Sequence, residues 1–241
     1  MNKSLICQRF RKNLKTYNEN AHIQKQMAEK LISLLPSKSF NKILEIGCGT
    51  GVLTKIASDK LIYKEYRAND IVPECEYYID SINSKIQFFQ ADIEEYLNKA
   101  DEHYDLIISN AAFQWIENLE EFINNLMQLL NPNGILLFST FGVENYREIY
   151  HVLGKSLQYY TLNEIKNIFG DYNLYAEEEI RISAFRTPLD VLRHIKYTGV
   201  NALHSETWTK KNLADFEKGY NNFCSNHPTL TYNPIYIKIQ K

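Results

Sequence analysis

Apolar residues recur in two rhythms along this chain, and their alternation predicts an α/β architecture. Ile23, Met27, Leu31 and Leu35 fall four apart, so they share one face of a helix over about Glu19–Leu35 that Pro36 closes. The stretch from Lys42 is then apolar and branched through Ile46, as a strand buried on both faces should be. It stops at three glycines in alternate positions and leads into a helix over Val52–Lys60. Further strands are predicted at Ile62–Ala68, running on to Asp70, and at Ile86–Gln90, Tyr104–Asn110 and Ile135–Phe141. Between them lie helices starting near Val72-Pro73, at Glu94–Leu97 and at Asn118–Leu130, with a turn at Asn131-Pro132-Asn133-Gly134.

After Phe141 the pattern loosens. Helices are plausible at Asn145–Leu157, Leu162–Phe169, Pro188–Thr198 and Lys210–Phe223. Ile180–Phe185 reads as a sixth strand, and Tyr232–Gln240 as a last strand that closes the sheet. No repeat, low-complexity tract or linker divides the chain. The expectation is one domain over 1–241. It comprises an N-terminal helical segment (1–36), a core (37–141), lid segments at about 142–173 and 186–225, and the last strand (232–240).

The chemistry concentrates at Glu45-Ile46-Gly47-Cys48-Gly49-Thr50-Gly51. Glycine permits positive φ and lets a ligand lie against bare backbone. The helix that follows points its free N–H groups into the same crevice. A dinucleotide fingerprint would need glycine at 52, where this chain has Val52, and no Gly-Lys-Ser/Thr follows to make a P-loop. Asp70 lies nineteen residues past Gly51, near the separation usual for a carboxylate that binds a ribose diol, and it could equally cap the next helix. Asp92, after the third strand, reads equally as a cap for Glu94–Leu97 and as a ligand-binding carboxylate. The fourth strand ends in Ser109-Asn110-Ala111-Ala112-Phe113-Gln114-Trp115, polar and then aromatic, at the sheet end where ligands bind. On its own residues Tyr17 reads as a core aromatic.

Bulk properties narrow the class. A formal net charge of −2 over 241 residues suggests neither nucleic acid nor an anionic membrane as partner. Met1–Leu14 lacks the apolar core of a signal peptide, so a cytoplasmic location is expected. Cysteines at 7, 48, 75 and 224 fit neither a disulfide framework nor a CxxC metal site, and the six histidines show no ligand spacing.

The Glu45–Gly51 stretch resembles the first motif of class I S-adenosylmethionine-dependent methyltransferases. Beyond it, several segments are similar to the malonyl-[acyl-carrier protein] O-methyltransferase family of biotin synthesis. They are Phe10-Arg11…Tyr17…Ala21…Gln24, Ser109–Trp115, Phe138-Ser139-Thr140-Phe141 with Glu148-Ile149, Arg193–Gly199, Leu203-His204 and Leu230-Thr231-Tyr232. The resemblance implies a Rossmann-like sheet of seven strands, mostly parallel with an antiparallel last strand, helices on both faces and a helical lid after the fifth strand. It implies S-adenosylmethionine as methyl donor, S-adenosylhomocysteine as product, no metal, and a malonyl thioester of acyl carrier protein (or of CoA) as substrate, with a monomer expected. Cofactor contacts would then come from Glu45, Gly47, Cys48, Gly49, Gly51, Asp70, Ile71, Asp92, Ile93 and Asn110. Asp70 would hold the ribose, Ile71 the adenine face and Asp92 the adenine amino group. Tyr17, Gln114 and Trp115 would shape the substrate pocket. Arg193 and Lys196, three apart on a helix, would offer a cation to the malonyl carboxylate or to the carrier's phosphopantetheine phosphate. A class I methyltransferase for another small carboxylate, and a protein that binds the cofactor without turnover, are the competing readings.

Overall fold

A computed structural model describes residues 3–170, 172–198 and 208–241. Gly199, Leu203 and His204, which carry part of the family resemblance, lie outside the described residues. The elements in order are α1 (Lys3–Asn20), α2 (His22–Ser33), β1 (Ser39–Ile46), α3 (Val52–Lys60), β2 (Ile62–Asp70), α4 (Cys75–Ile82), β3 (Gln87–Gln90), α5 (Ile93–Leu97) and β4 (Tyr104–Asn110). A 3₁₀ turn (Phe113–Trp115) leads to α6 (Leu119–Gln128) and β5 (Leu130–Phe141). Then come α7 (Arg147–Leu153), α8 (Leu162–Phe169), β6 (Asn173–Glu178), β7 (Arg181–Ala184), α9 (Pro188–Tyr197), α10 (Lys210–Phe223), β8 (Thr229–Tyr232) and β9 (Pro234–Gln240).

The main sheet runs β3-β2-β1-β4-β5-β9-β6, and β9 is antiparallel to both of its neighbours. The chain winds outward from β1 through β2 to β3, then returns to β4 on the other side of β1. That reversal opens a crevice at the carboxyl ends of β1 and β4, where the crossovers leave in opposite directions. The period of two along each strand feeds two cores. Leu106 and Ile108 of β4 face α2, α3 and α4, whereas Ile107 faces Phe122, Ile123 and Leu126 of α6. The seven-stranded, mostly parallel sheet with an antiparallel last strand is as expected.

Several local expectations are corrected. α1 is a separate helix within the N-terminal helical segment expected over 1–36; Leu14 is its one buried residue, so no core-facing apolar stripe marked its bounds. The helix expected over Glu19–Leu35 is instead α2, joined to α1 at Ala21. The helix expected near Val72-Pro73 starts at Cys75 and is preceded by Glu74, so Asp70 is not its cap. α7 is shorter than Asn145–Leu157 because Gly154 takes a φ of 64° and ends it. The stretch Ile180–Phe185 does not enter the main sheet: Arg181–Ala184 pairs with β8 in a separate two-stranded sheet. The sixth strand is Asn173–Glu178, an edge strand with no apolar run to reveal it, held by pairing with β9. Asn131–Gly134 is an excursion inside β5, where the register jumps from Tyr104–Leu130 to Leu106–Ile135.

Within the span expected to form a lid, α8 buries Ile165 and Phe169 against the sheet face that carries Phe138. By contrast α7 packs on β8 and α10, and α9 packs on α10 and α1. Glu148 ties α7 to β8: its buried carboxylate accepts the Thr231 N–H at 2.9 Å and the Thr231 hydroxyl at 2.6 Å.

Candidate functional site

The ends of β1, β2 and β4, the start of α5, and the inner face of α1 enclose one cleft. Gly47 and Gly49 form its floor with φ of 68° and 53°. A Cβ on Gly47 would stand 2.6 Å from the Ala112 Cβ, and one on Gly49 would stand 3.1 Å from the Phe10 ring. Both strain and space therefore demand glycine there. Gly51 does not line the cleft, contrary to expectation. Its φ of 79° starts α3, and a Cβ would meet Ile82 of α4 at 2.3 Å. Its work is to let two helices approach.

Asp70 is 7% exposed and ends β2 on the cleft wall. One oxygen accepts the Gly49 N–H at 2.8 Å and the other accepts the Val72 N–H at 2.9 Å. Burial pushes its carboxyl up, and the backbone donors oppose that. A carboxylate has about four acceptor positions, and these two hydrogen bonds take one on each oxygen. Ile71 and Ile93 add apolar wall beside it. Asp92 caps α5 by accepting the Glu94 N–H at 3.1 Å, and it also receives Lys3 of α1 at 2.7 Å. Lys3 reaches Glu94 as well, at 2.5 Å.

Glu45 sits at the bottom, 1% exposed, and accepts the Tyr66 hydroxyl at 2.5 Å. Burial raises its carboxyl to about 7, against an opposing contribution from that hydrogen bond. A raised carboxyl favours the folded state below the ordinary carboxylate range, and the gain is lost as pH climbs through the raised value. Wild type measured against Glu45→Gln should therefore lose roughly 3 kcal/mol of stability between about pH 4.5 and 7.5 and then level off. Urea unfolding at several pH values tests this, and a flat difference would rule it out. The Cys48 thiol is buried and pushed up by desolvation, so it fills the loop rather than reacting.

The β4 end is braced from β5. The Ser139 hydroxyl donates to Asn110 Oδ1 at 2.8 Å and accepts the Ala111 N–H at 3.1 Å. Ala111 is held at a φ of 53°, a conformation rare for a residue with a side chain and typical of functional turns. The turn brings Gln114 and Trp115 into the cleft. Asn110 Nδ2 in turn donates to the Gln24 carbonyl at 3.0 Å, which ties α2 to the same place.

α1 closes the cleft with Lys3, Ile6, Cys7, Phe10 and Tyr17. Arg11 pairs with Glu74 at 2.7 Å, and Asn18 accepts the Thr50 hydroxyl at 2.5 Å. Positions 3, 6, 7 and 10 are the spacing of a helix face, a signal that was present in the sequence but masked because it faces a cleft and not a core. Arg193 and Lys196 do not line the cleft. Both point to solvent, and Arg193 is 62% exposed and paired with Asp190 at 2.9 Å. α9 buries Pro188, Val191 and Ile195 instead, so the face that the two basic residues share is the outer one. A direct grip on a carboxylate in the cleft is thus not available to them.

A family model described as a methyltransferase domain matches residues 17–179. A malonyl-[acyl-carrier protein] O-methyltransferase of Calditerrivibrio nitroreducens is 38% identical over 238 residues, covering 96% of this chain and 94% of that one. Its namesake from Bacteroides thetaiotaomicron is 35% identical over 261 residues, covering 100% and 99%. Among solved structures, the YcgJ protein of Bacillus subtilis aligns with a TM-score of 0.64 at 13% identity, over 90% of this chain and 98% of that one. The N-methyltransferase NodS of Bradyrhizobium japonicum, in complex with S-adenosylhomocysteine, aligns at 0.52 with 15% identity, over 94% and 98%. These two likenesses speak for the fold.

Proposed function

Since the chain belongs to the malonyl-[acyl-carrier protein] O-methyltransferases, within the class I S-adenosylmethionine-dependent enzymes, we propose that the single cleft takes both methyl donor and malonyl thioester. The enzyme transfers a methyl group from S-adenosylmethionine to the free carboxylate of a malonyl group on acyl carrier protein, the step that primes biotin synthesis. The observation that carries the site assignment is the convergence of a bare glycine floor with two carboxylates at successive strand ends, Asp70 and Asp92.

The residues present fit the donor. Asp70 would accept from the ribose hydroxyls while its backbone contacts keep it in place. Ile71 and Ile93 would flank the adenine, and Asp92 would accept from its amino group. Glu45, Cys48, Asn110 and the Gly47–Gly49 backbone would face the amino-acid end. When bound, the donor supplies a methyl group on a sulfonium. A malonyl carboxylate is already deprotonated at neutral pH, so no residue need act as base and no metal is called for. What the chain contributes is alignment of oxygen and methyl carbon, by Tyr17, Gln114 and Trp115, and exclusion of water by α1. An anion and a cation react to give neutral products, so exclusion of water from the cleft would favour the step. Outside the cleft, Arg193 and Lys196 remain candidates for the phosphopantetheine phosphate of the carrier. Malonyl-CoA would present the same reacting group.

A cationic ligand beside Glu45 should pull its carboxyl down from about 7, so binding of the donor near that pH should release protons. Calorimetry in buffers of different ionisation enthalpy reads the number released. The function itself is tested by mass spectrometry of malonyl-carrier incubated with labelled S-adenosylmethionine. The expected product is the methyl ester on the malonyl group. A protein that binds S-adenosylhomocysteine yet leaves the carrier unlabelled would overturn the substrate.

A further inference from the structure

Among the described residues that line the cleft, Lys3 is the one cation, and it is already paired with Asp92 and Glu94. Glu45, Asp70, Asp92 and Glu94 make the wall otherwise acidic. An incoming malonyl carboxylate therefore meets no free positive side chain there. The cleft does present Gln24 from α2. It is 3% exposed, and it is the one polar side chain among residues of α2 that are otherwise buried and apolar: Met27, Ala28, Leu31 and Ile32. Its backbone carbonyl is fixed by Asn110, but its side-chain amide makes no hydrogen bond among the described residues. Neither polar atom of that amide is fully enclosed, so both keep their hydrogen-bonding capacity, and the opening they face is the cleft. Tyr17, near the end of α1, lines the same cleft from across the Ala21 junction. Its hydroxyl also lacks a partner among the described residues and lies in the same cleft.

We propose that the Gln24 amide and the Tyr17 hydroxyl receive the malonyl carboxylate, so that the nucleophile is held by neutral donors and not by a cation. The inference rests on the function proposed above and assigns its substrate subsite. Burial and the nearby Asp70 raise the Tyr17 hydroxyl, so it stays protonated and able to donate. The chemistry gives a reason for neutral donors. Negative charge on the carboxylate disappears as the methyl arrives, so a guanidinium would bind the ground state more tightly than the transition state and slow the transfer. An amide and a phenol orient the oxygen while costing less of its charge.

The test uses the full chain with malonyl-carrier and, separately, S-adenosylhomocysteine. Gln24→Met keeps the volume and removes the donor; Gln24→Glu keeps the shape and adds a like charge. The first should lower kcat/KM for malonyl-carrier by about 10- to 100-fold, mainly through KM, and the second by about 100-fold or more. For both, the Kd of S-adenosylhomocysteine should stay within about 3-fold of wild type, which also reports that the variant is folded. Gln24→Ala serves as a third variant if either of the others fails to bind the product. Unchanged kcat/KM in Gln24→Met would overturn the inference. So would a loss of S-adenosylhomocysteine affinity in step with activity in two folded variants, since the amide would then read the donor's amino-acid end. A wild type that binds S-adenosylhomocysteine but makes no ester would overturn the functional reading, and this inference with it.

Discussion

Asp70→Ala should weaken S-adenosylhomocysteine binding by about 100- to 10,000-fold. Two effects add. The variant loses charge-assisted hydrogen bonds to the ribose, worth about 1.5–3 kcal/mol. It also strips the acceptor from the Gly49 and Val72 N–H groups, so the loop relaxes in the free protein and binding must restore it, at a cost of about 1–3 kcal/mol. The glycine floor would no longer be pinned to β2, so the loss should exceed that of Asp70→Asn, which retains one acceptor oxygen. Isothermal titration calorimetry measures both. Affinity within about 3-fold of wild type in the alanine variant would mean the ribose sits elsewhere.

Phe138→Ala should destabilise the fold by about 3–5 kcal/mol, since a fully buried aromatic would be replaced by a cavity. The Phe138 ring stacks on Phe113 with centroids 4.5 Å apart and meets Phe169 of α8 at 6.5 Å. At this chain length that corresponds to a fall in Tm of about 6–20 °C. Phe113 opens the turn that carries Gln114 and Trp115, so the same change should also loosen the substrate side of the cleft. Calorimetric unfolding tests the first part. A shift of less than about 2 °C would show that the two layers joined by this ring do not depend on it.

Much of the site was legible because it is local. The strand-glycine-helix unit from Lys42 to Lys60 is one continuous piece of chain, and the loop's positive φ values are a property of glycine in that order. Asp92 was readable both as a cap and as a cleft residue, and it is both. Asp70 was readable as a cleft residue, but its capping role dissolved once α4 was seen to start at Cys75. Gly51 kept the motif's spacing yet turned out to serve helix packing. Arg193 and Lys196 were rightly placed on one helix face, but periodicity cannot say which face of a helix points inward.

What the chain order alone determined, then, is the set of central strands, the helices between them and the glycine floor, because each depends on residues within a few positions of one another. Only the tertiary structure decided which elements meet from far apart. It inserted β9 between β5 and β6, although β6 has no apolar run of its own. It folded α1 back so that Lys3 reaches Asp92 across eighty-nine positions. It also turned Gln24 into the cleft and the basic face of α9 out of it. Such contacts are selected by burial of surfaces that no short stretch of sequence contains, and that is where the substrate side of this enzyme is made.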